Sequence, residues 1–226
     1  MSRTLVVGDI HGCYNLLVKG LKQANYQPGR DRLILLGDYI DRGVNSAKVV
    51  ELVRDLVNRG AIALMGNHED MFLDTLDNWD SKSPYWFLNG SKATLLSYGL
   101  ELDQIKDKKA VNKAIPTEHL DFLRSLPFYY EDSHYIFCHA GIRPGISMDK
   151  QTKEDILWIR DSFLSTPIVG KTVVFGHTPT TMIDDHGIAE IYQSEGKIGI
   201  DTGAYFSGLL TVLQLTSNTN CKIKSA

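Results

Sequence analysis

The chain has 226 residues, 43% of them hydrophobic and 23% charged, enough to bury the core of one globular domain, which is the organisation we expect. Its formal net charge of -3 excludes an overall positive field that would gather nucleic acid or anionic lipid, so neither is expected as a partner and any phosphate-binding cation must act locally. The three cysteines, Cys13, Cys138 and Cys221, have no metal-type spacing and cannot all pair, which argues against a disulfide framework or thiolate site and points to a reducing cytoplasm.

Leu5 to Val7 reads as a buried strand; it is too short for a signal-peptide core and ends in Gly8-Asp9, so no membrane targeting is expected. Leu16, Leu17 and Leu21 follow at helical spacing, and Leu33 to Leu36 reads as a second strand. Val49, Val50, Val53, Leu56 and Val57 mark another helix closed by Gly60, before a third strand over Ala61 to Met65. This alternation implies parallel strands joined by right-handed crossovers. Trp79 to Leu100 and the lysine-rich stretch Leu102 to Ala114 read as helices and loops, and Thr117 to Leu126, behind Pro116, as a short amphipathic helix. From Phe128 onward strands dominate, with apolar runs at Tyr135 to Cys138, Thr172 to Phe175 and Ile198 to Ile200. The class is therefore α/β with an antiparallel contribution late in the chain. The polar tail over 216–226 is expected to fray.

In a parallel sheet the carboxyl ends of the strands meet along one edge, and the loops leaving them build the site. The three early loops read Gly8-Asp9-Ile10-His11-Gly12, Gly37-Asp38-Tyr39-Ile40-Asp41-Arg42-Gly43 and Gly66-Asn67-His68-Glu69, and later strands deliver His139-Ala140-Gly141, Gly176-His177-Thr178 and Asp201-Thr202-Gly203. One Gly-Asp pair alone is commonly a plain turn; three such loops in order at strand ends are not. Asp9, His11, Asp38, Asn67, His139 and His177 offer carboxylate, imidazole and carboxamide donors without thiolate, a set suited to manganese, iron or zinc. So many donors exceed what one catalytic zinc-type site uses, so two divalent ions are expected, and a carboxylate such as Asp38 can bridge a pair roughly 3.5–4 Å apart.

That chemistry suits phosphate esters, which hydrolyse extremely slowly unaided. A water acidified by two cations becomes hydroxide near neutral pH and can attack phosphorus in line. His68, directly after Asn67, can protonate the leaving alkoxide, with Asp41 holding it charged and oriented. Arg42 and Arg160 can fork onto phosphate oxygens.

At these residues the chain resembles the phosphoprotein phosphatase family, whose signatures G-D-x-H-G, G-D-x-x-D-R-G and G-N-H-E all occur intact and in order. It is most similar to the short bacterial and phage serine/threonine protein phosphatases, from Leu5 to about Leu215. The resemblance implies a calcineurin-like metallophosphoesterase fold, two packed mixed β-sheets flanked by helices. It implies that Asp9, His11 and Asp38 hold one metal and that Asp38, Asn67, His139 and His177 hold the other, with manganese the usual activating ion. It further implies His68 as general acid, Asp41 as its partner, and Arg42, Arg160 and Asn67 as contacts to a phosphoprotein or phosphopeptide carrying phosphoserine, phosphothreonine or phosphotyrosine. Met65 departs from the arginine common before the third signature's glycine, and the segment from Trp79 to Leu126, which carries no family signature, is expected to shape the substrate groove.

Two rival readings share the loops. A dinucleoside polyphosphate hydrolase, such as one cleaving diadenosine tetraphosphate, uses similar metal ligands, but the symmetrical bacterial enzymes are expected to carry alanine at the place of Asp41 and aspartate at that of Glu69. A non-catalytic metal-binding scaffold is disfavoured by the complete ligand set. Asp201 reads as support for its loop, His119, His134 and His186 as structural or exposed, Tyr85, Trp86 and Phe87 as core, and Cys13 and Cys138 as small buried hydrophobes.

Overall fold

The computed structural model describes residues 3–183 and 187–215 in full and the backbone of 222–225. The first half runs β1 (Thr4–Val7), α1 (Tyr14–Gln23), β2 (Arg32–Leu35), α2 (Ser46–Asn58) and β3 (Ile62–Ala63). A helical stretch follows: α3 (Asn67–Asp77), α4 (Trp79–Leu88), α5 (Ser91–Ser97), α6 (Lys108–Ala114) and α7 (Thr117–Arg124). Then come β4 (Tyr129–Glu131), β5 (Tyr135–Cys138), α8 (Lys153–Trp158), α9 (Asp161–Leu164), β6 (Thr172–Phe175), β7 (Tyr192–Ser194), β8 (Lys197–Gly199), α10 (Ala204–Ser207), β9 (Thr211–Leu215) and β10 (Lys222–Ser225).

The strands form two mixed sheets, ordered β10-β9-β1-β2-β3 and β4-β5-β6-β8-β7. Each has a parallel centre, β1-β2-β3 in one and β5-β6-β8 in the other, with antiparallel strands outside it. The apolar runs lack polar alternation because both faces of the central strands are covered. Val6, Ile34 and Leu213 of the first sheet meet Phe137, Val174 and Ile198 of the second in a core between the sheets. Their chain neighbours Leu5, Val7, Leu33, Leu35, Ile136, Cys138, Val173 and Phe175 turn the other way, into the larger cluster that carries the helices. Successive side chains thus serve two cores, each buried one stabilising by roughly 1.5–3 kcal/mol.

Two expectations are corrected. The third strand is shorter than its apolar run: only Ile62 and Ala63 pair with β2, after which the N–H of Met65 turns to the carbonyl of Pro127. The tail does not simply fray, because Lys222–Ser225 pairs antiparallel with β9 and covers the backbone edge that β9 would otherwise expose. Residues 216–221 and 226 lie outside the described residues, as does His186. No helix among the described residues is long and apolar enough to cross a membrane.

Candidate active site

The parallel centres of both sheets deliver their carboxyl-terminal loops to one place. Close backbone contact between loops requires glycine there: a Cβ on Gly37, whose φ is 105°, would lie 2.6 Å from the Gly66 Cα. Six non-glycine residues among those described adopt left-handed backbone angles, and five of them are His11, Asp38, Asp41, Arg42 and His177. Such conformations cost energy and persist only where the surroundings enforce them, so the strain is concentrated on the residues that the sequence singles out.

Asp9, His11, Asp38, Asn67, His68, His139 and His177 are all buried and converge. Asp38 is central. Its Oδ2 stands 3.3 Å from His11 Nε2 and 3.9 Å from His68 Nε2, and its Oδ1 stands 3.4 Å from His139 Nε2. Two triads, His11-Asp38-His68 and Asp9-Asp38-His139, place ligand atoms within 4.8 Å of one another; Asp38 belongs to both, while the grouping differs from the two expected sets by putting Asp9 with His139 and His68 with His11.

The donor chemistry fits divalent cations. His11 Nδ1 donates to the carbonyl of Ile40 at 2.9 Å and His139 Nδ1 to that of Leu36 at 3.0 Å. Carbonyls only accept, so a neutral ring keeps its lone pair on Nε2, the inward atom. Burial holds both imidazoles below their ordinary value, His11 at about 3, and so keeps them neutral. His139 Nε2 stands 2.7 Å from Asn67 Oδ1, close enough for the two atoms to serve one cation together. Burial and the charges of Asp201 and Asp38 push Asp9 well above the usual carboxylate range, and burial lifts Asp201 to about 6. Positive charge at this place relieves both.

His68 lies at the edge of the cluster. Its Nδ1 is 2.7 Å from Asp41 Oδ2. Burial opposes protonation, but Asp38 and Asp41 outweigh it and hold the imidazole above its ordinary value. The Arg42 fork rests 2.9 Å from His11 Nε2 and 3.2 Å from His68 Nε2, and Arg160 Nε donates to His177 Nε2 at 3.1 Å. Both guanidiniums therefore reach the cluster, and Arg42 has to turn outward before those ring nitrogens can meet a cation or a leaving oxygen. Asp201 accepts the N–H of Gly203 at 2.9 Å and faces Asp9. His119 is buried between the Tyr98 hydroxyl and Glu51, and Cys138 is a buried thiol pushed up to about 12.

Glu69 has a task that its short motif does not announce. Its carboxylate accepts the backbone N–H groups of Asp38, Tyr39, Ile40 and Gly66 at 2.8, 2.8, 3.2 and 3.1 Å, tying the second loop to the third. Burial and Asp38 raise this carboxyl to about 8 while those donors pull the other way. Glu69→Gln turns one acceptor into a donor that faces N–H groups. Urea unfolding should show a loss of roughly 2–3 kcal/mol with unchanged slope, the scale of buried donors left unpaired. An unmoved midpoint would remove Glu69 from this role.

The sequence model of the calcineurin-like phosphoesterases matches residues 2–205. The chain belongs to that family. Its members are metal-dependent hydrolases of phosphate esters, and this phosphoesterase has relatives on both sides of a substrate divide. Serine/threonine-protein phosphatase 2 of Salmonella typhimurium is 35% identical over 224 residues, covering 93% of this chain and 91% of that protein. The asymmetrical bis(5'-nucleosyl)-tetraphosphatase PrpE of Anoxybacillus flavithermus is 26% identical over 238 residues, covering 92% and 89%. A crystal structure provisionally named as a diadenosine tetraphosphatase matches the phosphoesterase with a TM-score of 0.74 at 22% identity, covering 100% of this chain and 93% of that one, a likeness of fold.

Proposed function

We propose that this chain is a serine/threonine protein phosphatase that hydrolyses phosphoserine and phosphothreonine in proteins, with phosphotyrosine as a further substrate. The observation that carries the reading is the buried Asp41–His68 pair at 2.7 Å. An alkoxide is a poor leaving group and needs a proton as the P–O bond breaks, whereas a nucleotide leaves as a stable phosphate anion without one. A built proton donor is therefore worth most to an enzyme that cleaves alkyl esters.

In this reading Asp9, His11, Asp38, Asn67, His139 and His177 hold two divalent ions, manganese being the ion we assign. When bound, these ions supply positive charge against the phosphate and an acidified water as nucleophile. Arg42 and Arg160 turn onto the phosphate oxygens and align phosphorus for in-line attack. His68 gives its proton to the departing hydroxyl oxygen as the P–O bond to it breaks, and it is reprotonated from solvent, which takes up the proton that the attacking water has lost; the products are inorganic phosphate and a restored hydroxyl. Asp41 keeps the ring protonated and facing the leaving group. The cysteine usage supports a cytoplasmic setting.

An apolar groove beside Arg42, lined by Val44, Leu88, Leu96 and Tyr205 with Lys92 at its edge, offers the peptide around the phosphoresidue a place to lie. Leu88 and Leu96 come from α4 and α5, in the segment expected to shape substrate binding. Leu88→Asp is expected to raise KM for a phosphopeptide with apolar flanking residues about ten-fold, the scale of one lost apolar contact, with kcat unchanged. The KM for p-nitrophenyl phosphate, which has no flank, should not move; equal shifts for both substrates would exclude the groove.

The relation to bis(5'-nucleosyl)-tetraphosphatases supports a second reading, hydrolysis of dinucleoside polyphosphates. Both are tested together by turnover on a phosphoserine peptide and on diadenosine tetraphosphate at equal enzyme concentration with manganese. The primary reading predicts a higher kcat/KM on the peptide. The reverse ranking overturns it in favour of the second.

A further inference from the structure

Asp41 is fully buried, and its carboxylate is held by more than His68. Trp86 Nε1 of α4 donates to Oδ2 at 3.0 Å, the same oxygen that faces the His68 ring. Thr94 Oγ1 of α5 donates to Oδ1 at 2.6 Å and accepts the backbone N–H of Asp41 at 2.8 Å. Both carboxylate oxygens are therefore held by donors from α4 and α5, in addition to the contact of Oδ2 with His68. Both donors are completely buried, and Trp86 is stacked on Phe72 at 4.8 Å, which leaves its indole no freedom to swing away.

The backbone needs that support. Asp41 and Arg42 adopt left-handed angles with φ of 67° and 68°, and neither is glycine. The corner between α4 and α5 braces the same point, because the N–H of Arg42 donates to the carbonyl of Gly90 at 3.0 Å. A Cβ on Gly90 would come within 2.9 Å of Arg42, so the corner can press this close only as glycine.

We propose that Trp86 and Thr94 are positioning residues for proton donation: they lock the Asp41 carboxylate in the rotation that holds His68 Nδ1 and so aims Nε2 at the leaving oxygen. The inference rests on His68 being the proton donor in the proposed reaction. Neither residue touches substrate in this account. Their effect passes through Asp41 and His68 and must therefore scale with how much the leaving group needs a proton.

Trp86→Phe keeps an aromatic ring against Phe72 but removes the N–H together with part of the indole's bulk; Thr94→Val keeps the shape and removes only the hydroxyl, so it is the cleaner variant; Thr94→Ser restores the hydroxyl. Each variant, with wild type and His68→Asn, is assayed on p-nitrophenyl phosphate, phenyl phosphate and a phosphoserine peptide, in order of rising leaving-group basicity. Trp86→Phe and Thr94→Val should lose about ten- to a hundred-fold in kcat on the peptide, the usual scale for partners behind an acting group. They should fall progressively less on the two aryl esters, with KM and manganese content near wild type, and Thr94→Ser should recover most of the loss. Losses of equal size on all three substrates, or none on the most basic leaving groups, overturn the proposal. If Trp86→Phe does not fold, Thr94→Val carries the same comparison. If wild type spares the peptide, the substrate reading fails while the phenyl and p-nitrophenyl pair still decides the positioning role. A His68→Asn variant indifferent to the leaving group shows instead that the proton-donor assignment is what failed.

Discussion

Asp38→Asn is expected to lose metal and activity together. Asp38 is the one carboxylate common to both triads, with oxygens 3.3 and 3.4 Å from the ring nitrogens of His11 and His139. An amide keeps the shape, and its oxygen can still accept the N–H of His68, so the loop has reason to hold. What would disappear is the negative charge that the proposed reading sets between two cations. Even partners behind metal ligands change affinity by about 10–100-fold, and loss of a bridging ligand should exceed that range, with turnover down by about a thousand-fold or more. Thermal unfolding gives a second readout: manganese at about a hundred times its Kd should stabilise the wild type by about 2.7 kcal/mol for each ion bound and leave the variant unmoved. An Asp38→Asn protein with full manganese content and near-normal turnover would end the bridging role.

His68→Asn is expected to separate chemistry from metal binding. His68 Nδ1 faces Asp41, and its Nε2 is 3.9 Å from Asp38, so the ring borders the cluster from one side. Asp38 and Asp41 outweigh burial and hold the ring above its ordinary imidazole value, which favours the protonated form that a proton donor needs. Removing a general acid costs about 10²–10⁴-fold, and the loss should fall on kcat while manganese content stays near wild type. If turnover on a phosphoserine peptide is unaltered, His68 takes no part in the reaction.

The molecule was legible in the sequence where the information was local. Leu5 to Val7, Leu33 to Leu36 and Thr172 to Phe175 read as strands because each is apolar at consecutive positions, and the structure shows why: Val6, Ile34 and Val174 enter the core between the sheets while their neighbours enter the other. The edge strands Tyr129–Glu131 and Tyr192–Ser194 are partly exposed and polar, and no such run marks them. The site divides in the same way. Asp9, His11, Asp38 and Asn67 sit in compact motifs that name themselves, and the structure brings them to one place. Glu69 was visible, but its task was not, since three of the four N–H groups it binds lie about thirty residues earlier. Trp86 read as core, which it is, and its bond to Asp41 spans 45 residues with no pattern connecting the two. Pairings of that kind are written in the packing of helices against loops, and a one-dimensional reading cannot reach them.

Buried oxygen and imidazole groups from both sheets are expected to seat a pair of divalent ions. Crystals grown with manganese and measured at its absorption edge test this directly. The account predicts two anomalous peaks about 3.5–4 Å apart, with Asp38 between them and His11 and His139 on opposite sides. A single peak, or manganese bound away from Asp38, would contradict it.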